Sequence, residues 1–372
     1  MKSLIQRLAR LGPPLALAAA LAFAAPAALA GGSLRFQQHN LVSDGGVPAA
    51  HTDPMLVNPW GVAFNPFGFV WVADADAGVS TLYDGDGNKQ SLVVSIPGPA
   101  GGDEPGEPTG IAFNGSGGFI VSQGALSGPS RFIFATENGV IAGWAPNVDL
   151  THAIRVIDKS ASRTNYKGLA LSAGGNGQLL YATDFHNGKI DVWDSGFNPV
   201  SLPAGAFTDP KIPAGFAPFG IQAINGNIYV TYAKQDADRH DDVAGKGLGY
   251  VDVFDPNGNL IDRIVSEGPL NAPWGLALAP AGFGEFAGAL LVGNFGDGRI
   301  NAFDPMTGKH LGELKNDKGK PIEIEGLWGL AFGNGFNGQP INTLFFTAGP
   351  DDEEHGLYGR IDPLPDRDHG RH

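Results

Sequence analysis

Three oxygen-bearing side chains close three similar apolar runs: Asp74 in VWVAD, Asp184 in LLYATD and Asn294 in LLVGN. Carboxylate and amide oxygens are hard ligands. Several of them arriving from separate segments suit one Ca2+, which takes roughly six to eight oxygens. A cation held in this way polarises a carbonyl or activates a water. Asp and Asn at strand ends also bond the loop that follows, so a structural explanation competes with the chemical one at each position.

Histidines stand beside this set. His186 follows Asp184 by two residues in DFHNG, and His240 lies in KQDADRHDDVAGKGLG, residues 234–249, next to Arg239. His355 lies in a second acidic stretch, GPDDEEHG, residues 349–356. An imidazole titrates near neutral pH, so His186 or His240 could act as a general base, or a His could ligate a metal. Long charged insertions carry function in many scaffolds, although a solvated acidic loop has the same composition. DGDGN, residues 84–88, imitates the start of a calcium loop. Its sixth position is Lys89 and its twelfth is Ser95, where Gly and Glu are needed, so the stretch reads as a hairpin turn. The chain has no nucleophile elbow, phosphate-binding loop or HExxH.

What positions these residues is a repeat. Glycine recurs in one context at Gly61 (NPWGVAF), Gly110 (EPTGIAF), Gly168 (NYKGLAL), Gly220 (APFGIQA), Gly275 (APWGLAL) and Gly329 (GLWGLAF), at intervals of 49, 58, 52, 55 and 54 residues. Each copy continues with a β-branched and aromatic run bounded by turn residues, then an alternating strand such as GKIDVWD or GRINAFD, then a more variable one. No segment carries a 3.6-residue apolar stripe. Four strands in each of six copies predict an all-β, six-bladed β-propeller with four-stranded antiparallel blades.

In such a ring the first strand of each blade lies nearest the axis, where a missing side chain lets the backbones converge. Trp60, Trp274 and Trp328 are expected to pack between neighbouring blades. The last copy stops at GRIDP, residues 359–363, and SLRFQQHNLVS, residues 33–43, precedes the first copy without a blade of its own. This N-terminal strand is expected to complete the last blade and close the ring. The ends of the second strands then align as Asp74, Gln123, Asp184, Tyr232, Asn294 and Ala348, which would place them at the channel mouth. Gln123, Tyr232, Arg239 and His355 join the set as candidate ligand contacts.

The P-x-G-[IL]-A, V-x-V-A-D and [KR]-I-x-V-[FW]-D patterns resemble NHL-repeat propellers. The NPWG opening, N-terminal segment and length resemble an uncharacterised family of exported bacterial proteins built on that repeat. The resemblance spans almost the whole chain and implies the fold. It does not select an activity, because the fold hosts lactonases, lyases and binding modules. Related six-bladed hydrolases use a central metal, which implies one Ca2+ in the channel as the candidate cofactor.

Residues 1–30 read as a signal peptide: Lys2, Arg7 and Arg10, an apolar stretch from Leu11, and Ala28-Leu29-Ala30 before Gly31. The propeller is expected over 31–364 as one domain, followed by a polar tail over 365–372. The expectation is an exported, periplasmic or extracellular monomer with no membrane span. There is no Cys, so disulfides and thiolate metal sites are excluded. The net charge is −14, or −17 without the signal segment, which disfavours nucleic acid and anionic lipid. Two functions stay open: a scaffold binding a small molecule, glycan or protein on its loop face, and a divalent-cation-dependent hydrolase or lyase, such as a lactonase.

Overall fold

The computed structural model describes residues 35–174 and 177–365; the signal segment expected over 1–30 and the tail from 366 lie outside them. Six antiparallel blades form a propeller. The inner strands are Pro59–Phe64, Pro108–Phe113, Tyr166–Gly174, Phe216–Ile224, Pro273–Leu278 and Leu327–Phe332, in blades one to six. Blade three is the exception to four strands: among the described residues it has three, with a single bridge between Trp193 and Pro199 in place of the fourth. The closure is as expected. Arg35–Ser43 runs antiparallel to Leu357–Pro363, with Phe36 opposite Pro363 and Ser43 opposite Leu357, so both ends of the repeat share blade six. Among the described residues, no helix is long and apolar enough to cross a membrane.

The repeated glycine is where one blade touches the next, backbone to backbone. A Cβ on Gly220 would lie 2.0 Å from the carbonyl oxygen of Trp274, and one on Gly61 would lie 2.5 Å from that of Thr109. All six positions meet the following inner strand in this way. Hydroxyls reinforce the contact: Thr347 donates to the Trp60 carbonyl (2.5 Å), Thr109 to that of Tyr166 (2.6 Å) and Thr183 to that of Phe219 (2.7 Å). Each inner strand is also bulged at its glycine. Between Pro59–Asp74 and Val62–Val72, for example, Trp60 and Gly61 oppose Ala73 alone. Such a bulge re-aims a side chain. Here it turns the residue before the glycine towards the axis.

The sheets pack face on face through their outer strands. Second-strand side chains alternate between the two neighbouring blades, so Val70 and Val72 join Phe345 and Tyr358 of blade six, while Trp71 and Ala73 join Phe132 and Phe134 of blade two.

If close approach is the reason for the repeated glycine, Gly220→Ala should destabilise the protein by about 1–3 kcal/mol or more. Gly117→Ala, whose Cβ meets nothing within 4 Å, should leave stability near wild type. Denaturation midpoints check the pair, and equal midpoints would contradict the reason.

Candidate functional site

Six side chains reach the axis from the position before each repeated glycine: Trp60, Thr109, Lys167, Phe219, Trp274 and Trp328. The tryptophans meet one another rather than packing between blades as expected. Trp60 stacks on Trp328 at 3.5 Å, and Trp274 stands edge-on to both, at 6.0 and 5.8 Å. Phe295 stacks on Trp328 at 4.1 Å, and Phe219 stands near it at 5.9 Å. These rings fill the axis below the loop face.

Lys167 is the charged member of the ring and is only 2% exposed. Its ammonium lies over the Trp60 ring at 5.0 Å, pairs with Glu137 and reaches Asp241 at 3.4 Å. Its backbone carbonyl accepts the Trp274 indole N–H at 2.9 Å. Burial works against the charged amine, but Glu137, Asp241 and Glu353 outweigh it and hold Lys167 above its ordinary range.

Carboxyl groups gather round this lysine from five loops. Asn58 ties two of them together, donating to Glu353 at 2.7 Å and to Asp76 at 3.3 Å, while its own oxygen accepts from Trp328 at 3.2 Å. Burial pushes Glu353 up to about 7, with Glu137 adding to it and Asn58 and Lys167 opposing it. Burial likewise pushes Asp242 to about 7. Asp76 and Glu107 are raised for the same reason, and both also face Glu137. Asp241 is held down at about 2, chiefly by its hydrogen bond with His240, which raises His240 in turn. Asp351, Asp352 and Glu353 take φ of 58°, 51° and 71°, three consecutive non-glycine residues in the left-handed region. Strain of this kind is concentrated at functional sites, and here it delivers Glu353 to the mouth.

Beside the axis a cavity of about 540 Å³ is lined by Glu137, Arg163, Asn165, His186, Asp238 and His240. The structure therefore brings together the two candidate bases, His186 and His240, with a glutamate that the sequence reading did not single out.

The oxygen ligands do not gather at the mouth. Asp74, Asp184 and Asn294 end second strands on the face turned towards the preceding blade, and all three are fully buried there. Asp74 accepts from the Thr81 amide (3.0 Å) and hydroxyl (2.8 Å), and burial holds its carboxyl well above the usual range. Asp184 accepts from Thr164 (3.2 Å) and Asn187 (2.8 Å) and lies 3.5 Å from the Lys189 ammonium. Asn294 donates to the Pro269 carbonyl (2.9 Å) and to Asp297 (3.0 Å). These bonds fasten the next strand or a neighbouring loop within each residue's own blade, so the three do not fit a shared central Ca2+.

Tyr232 occupies the same register and packs with Ile228 and Val230 against Tyr181 of blade three. Gln123 is out of register. FIVSQ forms an extra hairpin, Ile120–Gln123 with Leu126–Pro129, and the second strand of blade two is Phe132–Thr136. The equivalent position is Thr136, next to Glu137. Arg239 is exposed at the tip of its loop, with φ of 60°. His355 bonds Asp44 at 2.9 Å, in the turn after the closing strand. The DGDGN turn is a hairpin in which Asp84 accepts from the amides of Asp86 (3.0 Å) and Asn88 (2.9 Å). The missed residue left a signal: NYKG stands in a column that otherwise reads PWG, PTG, PFG, PWG and LWG.

Asp242 and Glu353 keep their protons to about pH 7 in the folded protein, whereas unfolded carboxyls lose them near about pH 4. The folded state then binds more protons between those values, so stability should fall as pH rises through that window. An Asp242→Asn, Glu353→Gln double variant should show a flatter decline in thermal melts from pH 4 to 8. An unchanged slope would contradict the assignment.

No protein-family model matches the chain. It is 38% identical over 328 residues to Uncharacterized protein R648 of Acanthamoeba polyphaga mimivirus, covering 86% of this chain and 78% of that protein. It is 35% identical over 328 residues to Uncharacterized protein L690 of the same virus, covering 86% and 84%. Among solved structures, a glucose dehydrogenase superposes with a TM-score of 0.52 at 13% identity, covering 87% of this chain and 99% of that one, a likeness of fold alone. The relatives that define the grouping are viral, so the bacterial and exported attribution stays a proposal. The chain belongs to the family of six-bladed propeller proteins that includes these two mimivirus proteins.

Proposed function

We propose that the protein is a binding propeller whose loop-face mouth takes a ligand bearing a basic group, such as a lysine or arginine side chain of a peptide. One observation carries the reading. Asp76, Glu107, Glu137, Asp241, Asp242 and Glu353 form one interacting cluster around a single buried lysine and one histidine. Acid groups in surplus, partly withdrawn from water, favour a second cation more strongly than an exposed acidic surface does. The signal-like residues 1–30 support an exported, periplasmic or extracellular setting.

A second reading is a cation-assisted hydrolase or lyase. It is favoured by His186 and His240 sharing the 540 Å³ cavity with Glu137, which puts two candidate proton acceptors beside a carboxylate.

Calorimetry with a lysine-rich peptide and its fully acetylated counterpart tests the binding reading. The basic peptide should bind, more weakly as salt rises, and Glu353→Gln with Asp242→Asn should lose at least about tenfold in affinity. Equal binding of the acetylated peptide, or none by the basic one, would overturn it.

A further inference from the structure

We infer that Glu137, His240 and Asp241, with the amide of Asn165, form a site for a divalent transition cation, set beside the axis between blades two and four. One ligand atom from each of the first three lies within 4.8 Å of the others. They come from two loops that the fold brings to the same rim: Glu137 follows the second strand of blade two, and His240 and Asp241 lie in the long loop of blade four. Asn165 is the independent observation. It is 3% exposed, lines the same cavity as Glu137 and His240, and donates to the His240 carbonyl at 3.4 Å, yet its side-chain oxygen has no hydrogen-bond partner. A buried acceptor left free costs stability unless something donates to it or is ligated by it.

The donor set fixes the class of ion. One imidazole nitrogen with two carboxylates and an amide oxygen suits Mn2+ or Zn2+ better than Ca2+, which prefers an all-oxygen shell. Lys167 shapes the affinity. Its ammonium already pairs with Glu137 and Asp241, so it competes with the incoming ion for both carboxylates. The ion's function would be to pin the 234–249 loop across the mouth. This inference shares Glu137 and Asp241 with the acid cluster of the basic-ligand reading, and its cavity with the hydrolytic one.

Mn2+ binding to the full-length protein, followed by electron paramagnetic resonance and repeated with Zn2+ by calorimetry, tests it. One ion per chain is expected. His240→Ala, at an exposed side chain, should weaken binding by at least about tenfold. Asp351→Asn on the other acidic loop should not, and Lys167→Met should tighten it. Circular dichroism monitors folding; if Lys167→Met does not fold, Glu137→Gln takes its place and should weaken binding. Neither ion binding, or His240→Ala binding like wild type, overturns the inference. Peptide calorimetry without metal reports separately on the basic-ligand reading.

Discussion

Six backbones meet at the axis, and the structure depends on that contact. Each inner strand runs so close to the next that a single added methyl group would sit 2.0–3.0 Å from a neighbouring backbone atom. Glycine therefore recurs for a steric reason. The bulge that accommodates it has a consequence for chemistry: it turns one side chain per blade towards the axis. A ring closed by pairing its two ends holds these six side chains in fixed relation, because no blade can shift without breaking a contact with each neighbour.

The axial column divides the molecule. Aromatic rings from blades one, four, five and six make a dry floor, and the indole N–H groups of Trp274 and Trp328 are spent on Lys167 and Asn58. One lysine enters this floor from blade three. A buried ammonium is expensive without partners, and the loops answer with carboxyl groups in excess of what neutrality needs. The excess is not free either: burial holds Glu353 and Asp242 protonated to about pH 7, and three left-handed residues are held in place to bring Glu353 in. Stability is spent at this rim, in a pattern of buried acids and strained backbone that is concentrated at functional sites.

Much of the fold was legible because propeller geometry writes itself as a period. The glycine spacing, the strand patterns and the unpaired segment at 33–43 led to six blades and their closure. The orientation of side chains was not legible to the same degree. Asp74, Asp184 and Asn294 align correctly in register, but a second strand presents its residues to neighbouring blades, and only the bulged inner strand presents one to the axis. Gln123 failed for another reason: an inserted hairpin, FIVSQ with LSGP, imitates a strand of the blade and displaces the true one by twelve residues or so. That slip concealed Glu137. Lys167 was visible in the repeat column, but without knowing which way the bulge points its side chain, a lysine among tryptophans gave no reason to look at the axis. His186 and His240 were found because charged loops after second strands must share one face.

The most direct measurement is the titration of the Lys167 side chain by heteronuclear NMR, assigned with a Lys167→Arg variant. Its ammonium should stay protonated above the ordinary lysine range, and its signal should respond when Glu137 is replaced by Gln. A lysine that loses its proton below the ordinary range, and is indifferent to Glu137, would mean that burial dominates and that the acid-rich mouth around it does not exist as described.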